Sequence, residues 1–509
     1  MIKITTISPT KCYIESFTPD EIVKLKKELT YSDTSAMFAL KKLKANRWFR
    51  DNHPHTYNQR KVELEASLKT CMLQFDVSTQ KPWFHPGSLP YLAKKFDFNI
   101  SSVINYPEPT KISWRKRLPF DLYEYQDLSV DKLIEAKHAC VELCTGAGKT
   151  AIILTLAREL GLNTIIVTPS KSIFKEILKK FEYHFGKGNV GAYGDGKKRL
   201  GKRLTVCISK SLTMLKEDSE AYKFFSKADV VIGDESHTLA ANTLEKVFHG
   251  VAKDIPYRFF LSGTQVRGDG KDKLLESIIG GKVFELTTKE AIAGGYICDV
   301  NFTIIETTSK DPKKYSDPIK SKRKHVLYNE NIADISAKIA NSAWNCAQES
   351  TLILVEELCQ IEMLVARLTV PFEYVHSASK KDAAKFGLEP RKVDDAVEAF
   401  NNGTARVLIG TSCISTGTNM YPVHNCINWV GGSSETRTKQ GAVGRSVRLL
   451  DKSEYKDSHK EKPFAKIYDF DVKEPFKADP DKKTIVEKHL QKRVDMYRET
   501  TDNIKFVRI

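Results

Sequence analysis

Leu143-Cys144-Thr145-Gly146-Ala147-Gly148-Lys149-Thr150 brings two glycines, a lysine and a hydroxyl residue together over eight positions. That set suits the gripping of a chain of phosphates. Glycine lets backbone N–H groups turn inward around phosphate oxygens, and the start of a helix adds partial positive charge. Lys149 is placed to reach the β- and γ-phosphates of a nucleoside triphosphate and Thr150 to hold Mg²⁺, with Thr145, Gly146, Ala147 and Gly148 forming the cradle. The apolar stretch Ala139 to Leu143 precedes the loop and the helix-forming run Ala151 to Leu160 follows it, which is the context such a loop requires. Leu143 stands where a small residue is usual. A plain glycine turn before a helix is the alternative, and the Gly-Lys-Thr run in this context argues against it.

A second group lies downstream, at Val230-Val231-Ile232-Gly233-Asp234-Glu235-Ser236-His237. An apolar strand here delivers two adjacent carboxylates to its C-terminal end, where parallel sheets bind ligands. Asp234 is suited to bind Mg²⁺ through water, and Glu235 to orient and deprotonate an attacking water. An acidic pair after a strand is ordinarily a solvated turn. A strand-helix-strand distance downstream of a phosphate loop, catalysis is the better reading.

Asp234-Glu235-Ser236-His237 resembles the DExH box of helicase superfamily 2, and further segments resemble that superfamily's motifs in their usual order. Leu122 to Gln126 is similar to the adenine-recognition motif, which assigns Tyr125 and Gln126 to the nucleotide base. Val167 to Ser172 is similar to motif Ia and Cys207 to Ser211 to motif Ib. The resemblance implies that Pro169, Ser170, Lys171, Ser209 and Lys210 meet a nucleic-acid backbone. Leu261-Ser262-Gly263-Thr264 is similar to motif III, implying that Ser262 and Thr264, with His237, couple hydrolysis to movement; Gln265 stands where proline is usual. Arg267 to Gly270 is similar to the same region of related DNA translocases, which adds Arg267 to the nucleic-acid contacts.

Leu352 to Val355 is similar to motif IV and Val407 to Asn419 to motif V, implying Thr411 and Ser412 on a phosphate and Gly417 near the nucleotide. Gln440 to Arg448 is similar to motif VI, QxxGRxxR, implying that Gln440, Arg445 and Arg448 are catalytic, the two arginines contacting the γ-phosphate as fingers. Guanidinium suits that role because it is permanently charged and forks onto phosphate oxygens. Nine motifs in order, over about two thirds of the chain, imply ATP hydrolysis between two RecA-like domains and movement along nucleic acid.

The elements that must position these residues fall into three blocks. Residues 1–110 read as a small α+β domain: strands at Ile2 to Ile4 and Cys12 to Ile14, a helix from Asp20 to Leu29 with Pro19 in its first turn, strand-like stretches at Lys61 to Leu64 and Met72 to Val77, a Pro86-Gly87 turn, and a helix from Leu89 to Phe96. Tyr106-Pro107-Glu108-Pro109 reads as a linker. Residues 111–300 alternate short apolar strands with helices, at Ile165 to Val167, Thr205 to Ile208, Val230 to Ile232 and Phe259 to Leu261. Residues 301–509 repeat that layout at Leu352 to Val355, Val407 to Ile409, Cys426 to Val430 and Ile467 to Phe470. The pattern predicts two α/β, RecA-like parallel-sheet domains in tandem. Lys313 to Lys324 reads as a mobile, lysine-rich surface loop.

Residues 1–115 hold 18 Lys and Arg against 11 Asp and Glu, and mix basic with aromatic residues at Lys44 to Arg50 and Trp83 to Pro86. Such a mix can grip backbone and stack on an unpaired base, or can simply fill a core. The order of elements and Phe84-His85-Pro86-Gly87 resemble the N-terminal domain of phage UvsW-type branch-migration helicases. That resemblance implies remodelling of forks, Holliday junctions and displacement loops in recombination and repair, with single-stranded or branched DNA as the partner. Rival readings are an RNA helicase, the motor subunit of a restriction enzyme, and a binding module that has lost its chemistry. Intact Lys149, Asp234, Glu235, Arg445 and Arg448 argue against the last.

Composition is compatible with all of this. The 509 residues exceed one hydrophobic core, and the net charge of +16 favours a polyanionic partner. No apolar run is long enough to cross a bilayer, and Met1 to Pro9 lacks a signal-peptide layout, so a cytoplasm (a host's, for a phage protein) is the expected location. The ten cysteines lack the spacing of a zinc knuckle, so no structural metal is expected beyond the Mg²⁺ that accompanies a nucleotide. A monomer is the expected state.

Overall fold

The computed structural model describes residues 1–509 apart from 119–120, 236–237, 240, 264–270, 415–419, 435, 451–458, 475–482 and 509, and apart from the side chains of 241–242, 436–437 and 440. By contact the chain divides into two compact units. One holds Met1–Leu143 and Gly148–Glu285; the other holds Cys144–Ala147 and Leu286–Ile509.

The first unit carries two large sheets. A five-stranded mixed sheet runs Gln74–Asp76, Lys81–Phe84, Lys11–Ser16, Ile2–Ser8, Phe98–Ser102. An eight-stranded sheet runs Lys197–Arg199, Val190–Gly194, Leu204–Ile208, Thr164–Thr168, Val230–Asp234, Tyr257–Ser262, His138–Leu143, Gly281–Leu286. Its central neighbours pair in parallel. Their apolar side chains are buried on both faces, which is why these strands read as continuous Val/Ile/Phe runs. The second unit repeats the plan in seven strands: Phe372–Val375, Val407–Gly410, Thr351–Leu354, Asn425–Asn428, Phe464–Lys473, Asp299–Thr308, Ile504–Arg508. The architecture is two parallel-sheet α/β folds in tandem, with a small α+β block ahead of them.

Local chemistry explains the first helix well. Thr18 caps Pro19–Glu28 in a box with Glu21, and Pro19 takes the first turn. Three expectations fail nearby. Lys61 to Leu64 lies inside the helix Pro54–Ser67; its two apolar residues alternate, but Val62 points to solvent and Tyr57 is the buried anchor. The helix after Pro86-Gly87 closes at Leu92, well short of Phe96. Met72 is not a strand residue; it separates Lys69–Cys71 from Gln74–Asp76. In the second unit, Lys313 to Lys324 is not a loop throughout. Asp317 caps a helix at Pro318–Lys322 by accepting from Ile319 N at 2.9 Å, and Lys322 pairs with Glu356 at 2.6 Å.

The α+β block shares its core with the eight-stranded sheet. Ile4, Ile14, Phe84 and Leu92 belong to one apolar cluster with Phe248, Val251, Leu275 and Ile278. Phe84-His85-Pro86-Gly87 is a docking element. Phe84 is fully buried, and His85 stacks on His249 with centroids 3.6 Å apart. Gly87 lies so close to the Ser277 carbonyl that an added Cβ would overlap it. We therefore expect Gly87→Ala to lose about 1–3 kcal/mol of stability through overpacking. Denaturant unfolding checks this, and an unchanged midpoint would show that the junction yields.

Three histidines and Arg258 occupy that junction. Burial pulls His85 down to about 4 and His138 to about 3, and holds His249 well below its ordinary range. Arg258, fully buried and lowered to about 9 by burial, donates to Ala252 O at 2.6 Å and Phe248 O at 2.7 Å. The unfolded chain takes up protons on these histidines near pH 6.5, whereas the folded chain resists until about pH 4. Their neutral burial thus costs nothing above pH 6.5, and stability falls as pH drops from there. At pH 5 the loss is on the order of 2 kcal/mol for each of His85 and His138. Melting temperature should fall between pH 7.5 and pH 5; a flat profile would contradict their burial.

Candidate functional site

Three adjacent strands of the eight-stranded sheet, Val230–Asp234, Tyr257–Ser262 and His138–Leu143, end on the same side because all run parallel. Asp234 and Glu235, Ser262, and the phosphate loop therefore lie at neighbouring strand ends, as a shared ligand demands. The loop leaves its strand through Gly146 (φ +93°) and Gly148 (φ +70°), left-handed conformations that exclude most side chains. Gly148 then caps the helix Lys149–Leu160. The two left-handed glycines thus lead the loop directly into the helix start, with its partial positive charge.

Lys149 Nζ lies 3.0 Å from Glu235 Oε1, and it donates to Leu143 O at 3.4 Å. Glu235 itself sits at φ +47°, rare for a residue with a Cβ. It is held there by its N–H on Leu261 O at 2.9 Å, and its Oε2 accepts from Ser262 Oγ and Gly263 N, both at 3.4 Å. The strained backbone turns the carboxylate back toward the lysine. Asp234 is buried. Burial first, and then the Glu235 charge, raise its carboxyl to about 7. Its Oδ1 has no hydrogen-bond partner among the described residues.

Gln126 is 2% exposed, and its Oε1 accepts from Tyr123 N at 3.0 Å. Its Nε2 faces Tyr125 OH at 3.3 Å and lies against Gly148. The amide expected to read the base edge is thus tucked against the phosphate loop. Ser170 caps the helix Lys171–Phe185, its Oγ accepting from Ile173 N at 3.4 Å. Lys171 is exposed and pairs with Asp195 at 2.9 Å. Ser209 is buried at 1% exposure, leaving Lys210 at the surface of that turn.

In the second unit, Gly444 packs on the loop residue Thr145; a Cβ added at Gly444 would stand 2.7 Å from Thr145 Cβ. A Cβ at Gly146 would stand 3.7 Å from Arg448 Cγ. Arg445, 4% exposed, lies in the short helix Gly444–Ser446 that follows the helical stretch Thr436–Val443. Thr411 and Ser412 border a groove of about 410 Å³ that is also lined by Arg323 and His376. Neither ring nitrogen of buried His376 has a hydrogen-bond partner among the described residues. Ser236, His237, Thr264, Arg267 and Gly417, and the side chain of Gln440, lie outside the described residues.

Several supports went unread in the sequence. Arg493 forks onto Asp469 at 2.7 and 2.9 Å and donates to Gly432 O at 2.6 Å, on the approach to the motif VI helix. An aspartate inside the apolar run Ile467 to Phe470 was the available signal, since a buried carboxylate requires a cation. Arg323 was hidden in the lysine-rich segment, where Asp317-Pro318 marked a helix start.

Residues 119–267 match the family described as Type III restriction enzyme, res subunit. The chain is 24% identical over 370 residues to the DNA 3'-5' translocase XPB2 of Sulfurisphaera tokodaii, covering 65% of this chain and 80% of that one. Among solved structures, the type ISP restriction-modification enzyme LlaBIII bound to DNA superposes with a TM-score of 0.52 at 12% identity, over 81% of this chain and 33% of that one. T4 UvsW aligns over 100% of this chain and 99% of its own at 16% identity, with a TM-score of 0.42. The LlaBIII likeness establishes the tandem parallel-sheet fold.

Proposed function

We infer that this chain, a helicase of superfamily 2, is an ATP-driven DNA translocase that unwinds or branch-migrates forked and junction DNA. The observation that carries the reading is the ion pair of Lys149 with Glu235 beside a phosphate loop bent by two left-handed glycines. In this reading the pair joins the cation that binds phosphate to the carboxylate that activates water.

The pair also suggests how turnover begins. While Lys149 holds Glu235, the carboxylate is a poor base. An arriving triphosphate offers the ammonium a denser negative charge, draws it away and frees Glu235 to take a proton from the attacking water. Ser262 Oγ and Gly263 N keep the freed carboxylate aimed. Buried Asp234, with an oxygen lacking a partner among the described residues, fits a divalent cation; Asp234, through water, and Thr150 would hold Mg²⁺. Bound there, Mg²⁺ would neutralise phosphate oxygens. Arg445 and Arg448 act on the γ-phosphate, and Gln126, once its amide turns from Tyr123 N and Gly148, joins Tyr125 on the base.

On the nucleic-acid side, Lys171 and Lys210 stand exposed at the ends of their strands, and Thr411 and Ser412 border a groove with Arg323. The first block supplies branch recognition in this reading. Lys41, Lys42, Lys44, Arg47 and Arg50 are exposed, with Phe38 at 73% and Trp48 at 66%, a charged surface with rings free to stack. No described helix is long and apolar enough to cross a membrane. The test compares ATPase stimulation by single-stranded DNA, forked DNA and RNA of equal length. Forked DNA should stimulate most and RNA least, and DNA affinity should fall steeply with added salt. RNA acting as well as DNA, or a flat salt response, would overturn the reading.

A further inference from the structure

Lys462 is 6% exposed, yet it is assigned to no motif. Its ammonium donates to Ser446 O at 2.9 Å and to Tyr421 O at 3.2 Å. The two carbonyls belong to different parts of the second unit. Tyr421 follows the motif V segment by two residues, and its own N–H is held by Asn401 Oδ1 at 3.2 Å. Ser446 sits directly after Arg445 and two residues before Arg448. Its carbonyl also takes the Cys298 thiol at 3.2 Å, and Cys298 N–H donates to Val447 O at 2.8 Å.

We propose that Lys462 is a latch that transmits the state of the DNA-gripping motif V segment to the backbone carrying the two arginine fingers. A buried ammonium is costly unless its donors are satisfied, so it holds both carbonyls at fixed separation. A shift of Tyr421 must then move Ser446 or break a charge-assisted bond. Burial, and after it the neighbouring Arg448 guanidinium, pull the ammonium down to about 8, which shows how little solvent shares in the contact. Lys462 touches neither nucleotide nor DNA in this scheme and is a positioning residue.

The latch rests on the DNA-translocase reading, and one experiment separates their failures. ATPase with and without single-stranded DNA, and DNA affinity without nucleotide, are measured for the parent, Lys462→Met and Lys462→Arg. Lys462→Met should keep basal turnover and DNA affinity within about twofold while DNA stimulation falls about tenfold, a typical inter-site coupling. Lys462→Arg, which keeps charge and donors, should retain most stimulation. If Lys462→Met does not fold, Lys462→Gln takes its place with the same expectation, because its amide is uncharged and one atom shorter and cannot hold both carbonyls by charge-assisted bonds. Stimulation equal to the parent's overturns the latch, and so does a proportional loss of basal turnover, binding and stimulation. A parent that DNA does not stimulate overturns the DNA reading and the latch with it.

Discussion

Lys149→Ala protein should hydrolyse ATP at least about 10³-fold more slowly than the parent, while binding single-stranded DNA with nearly unchanged affinity at a given salt concentration. The expected size follows from the role. Phosphoryl transfer is catalysed almost entirely by positioning and by charge on the phosphoryl oxygens, and loss of one such contact in a water-poor site removes several kcal/mol. The structure adds a second effect of opposite sign: without Lys149, Glu235 loses its 3.0 Å partner. Glu235 should then be a more available base, and the expected fall in rate would mean that phosphate binding outweighs it. Steady-state turnover alongside a DNA titration checks both halves. Turnover within tenfold of the parent would remove Lys149 from the site.

Arg445→Ala should lower the maximal rate by about 10³–10⁵-fold, the range for arginine fingers. Arg445→Lys should recover little, because a point charge on a flexible stem cannot fork onto two phosphate oxygens. Arg445 is 4% exposed, so the same substitution can also loosen its helix. A melting curve distinguishes the two. A finger role lowers kcat with the midpoint nearly in place, whereas a packing role moves both. A maximal rate within a few fold of the parent, in a protein that melts normally, would exclude the finger assignment.

The residues proposed for catalysis were legible because the chemistry assigned to them demands particular types at fixed spacing. Gly146, Gly148 and Lys149 follow from phosphate geometry, and Asp234-Glu235 from the end of an apolar strand. What the sequence left unread was long-range. Nothing local links Lys149 to Glu235, 86 positions later, or predicts that Glu235 takes a left-handed backbone. The parallel strands were plain, since burial on both faces leaves continuous Val and Ile runs. Edge strands such as Lys197–Arg199 and Ile504–Arg508 were missed because half-exposed residues carry no such signature. Lys61 to Leu64 misled for the converse reason: two apolar residues in alternation are too few to outweigh helix-forming neighbours.

The junction at Phe84 to Gly87 decides how this protein can be cut apart. Cleaving near residue 110 would not release an independent accessory piece; it would strip the cover from Phe248, Leu275 and Ile278. The remaining fragment would carry an oily scar on the very domain that bears Lys149, and its sluggish turnover would be blamed on a missing DNA contact. Questions about branch choice are better asked with single replacements at Trp48 or Arg50, where the side chains already face water and their loss leaves the foundation undisturbed.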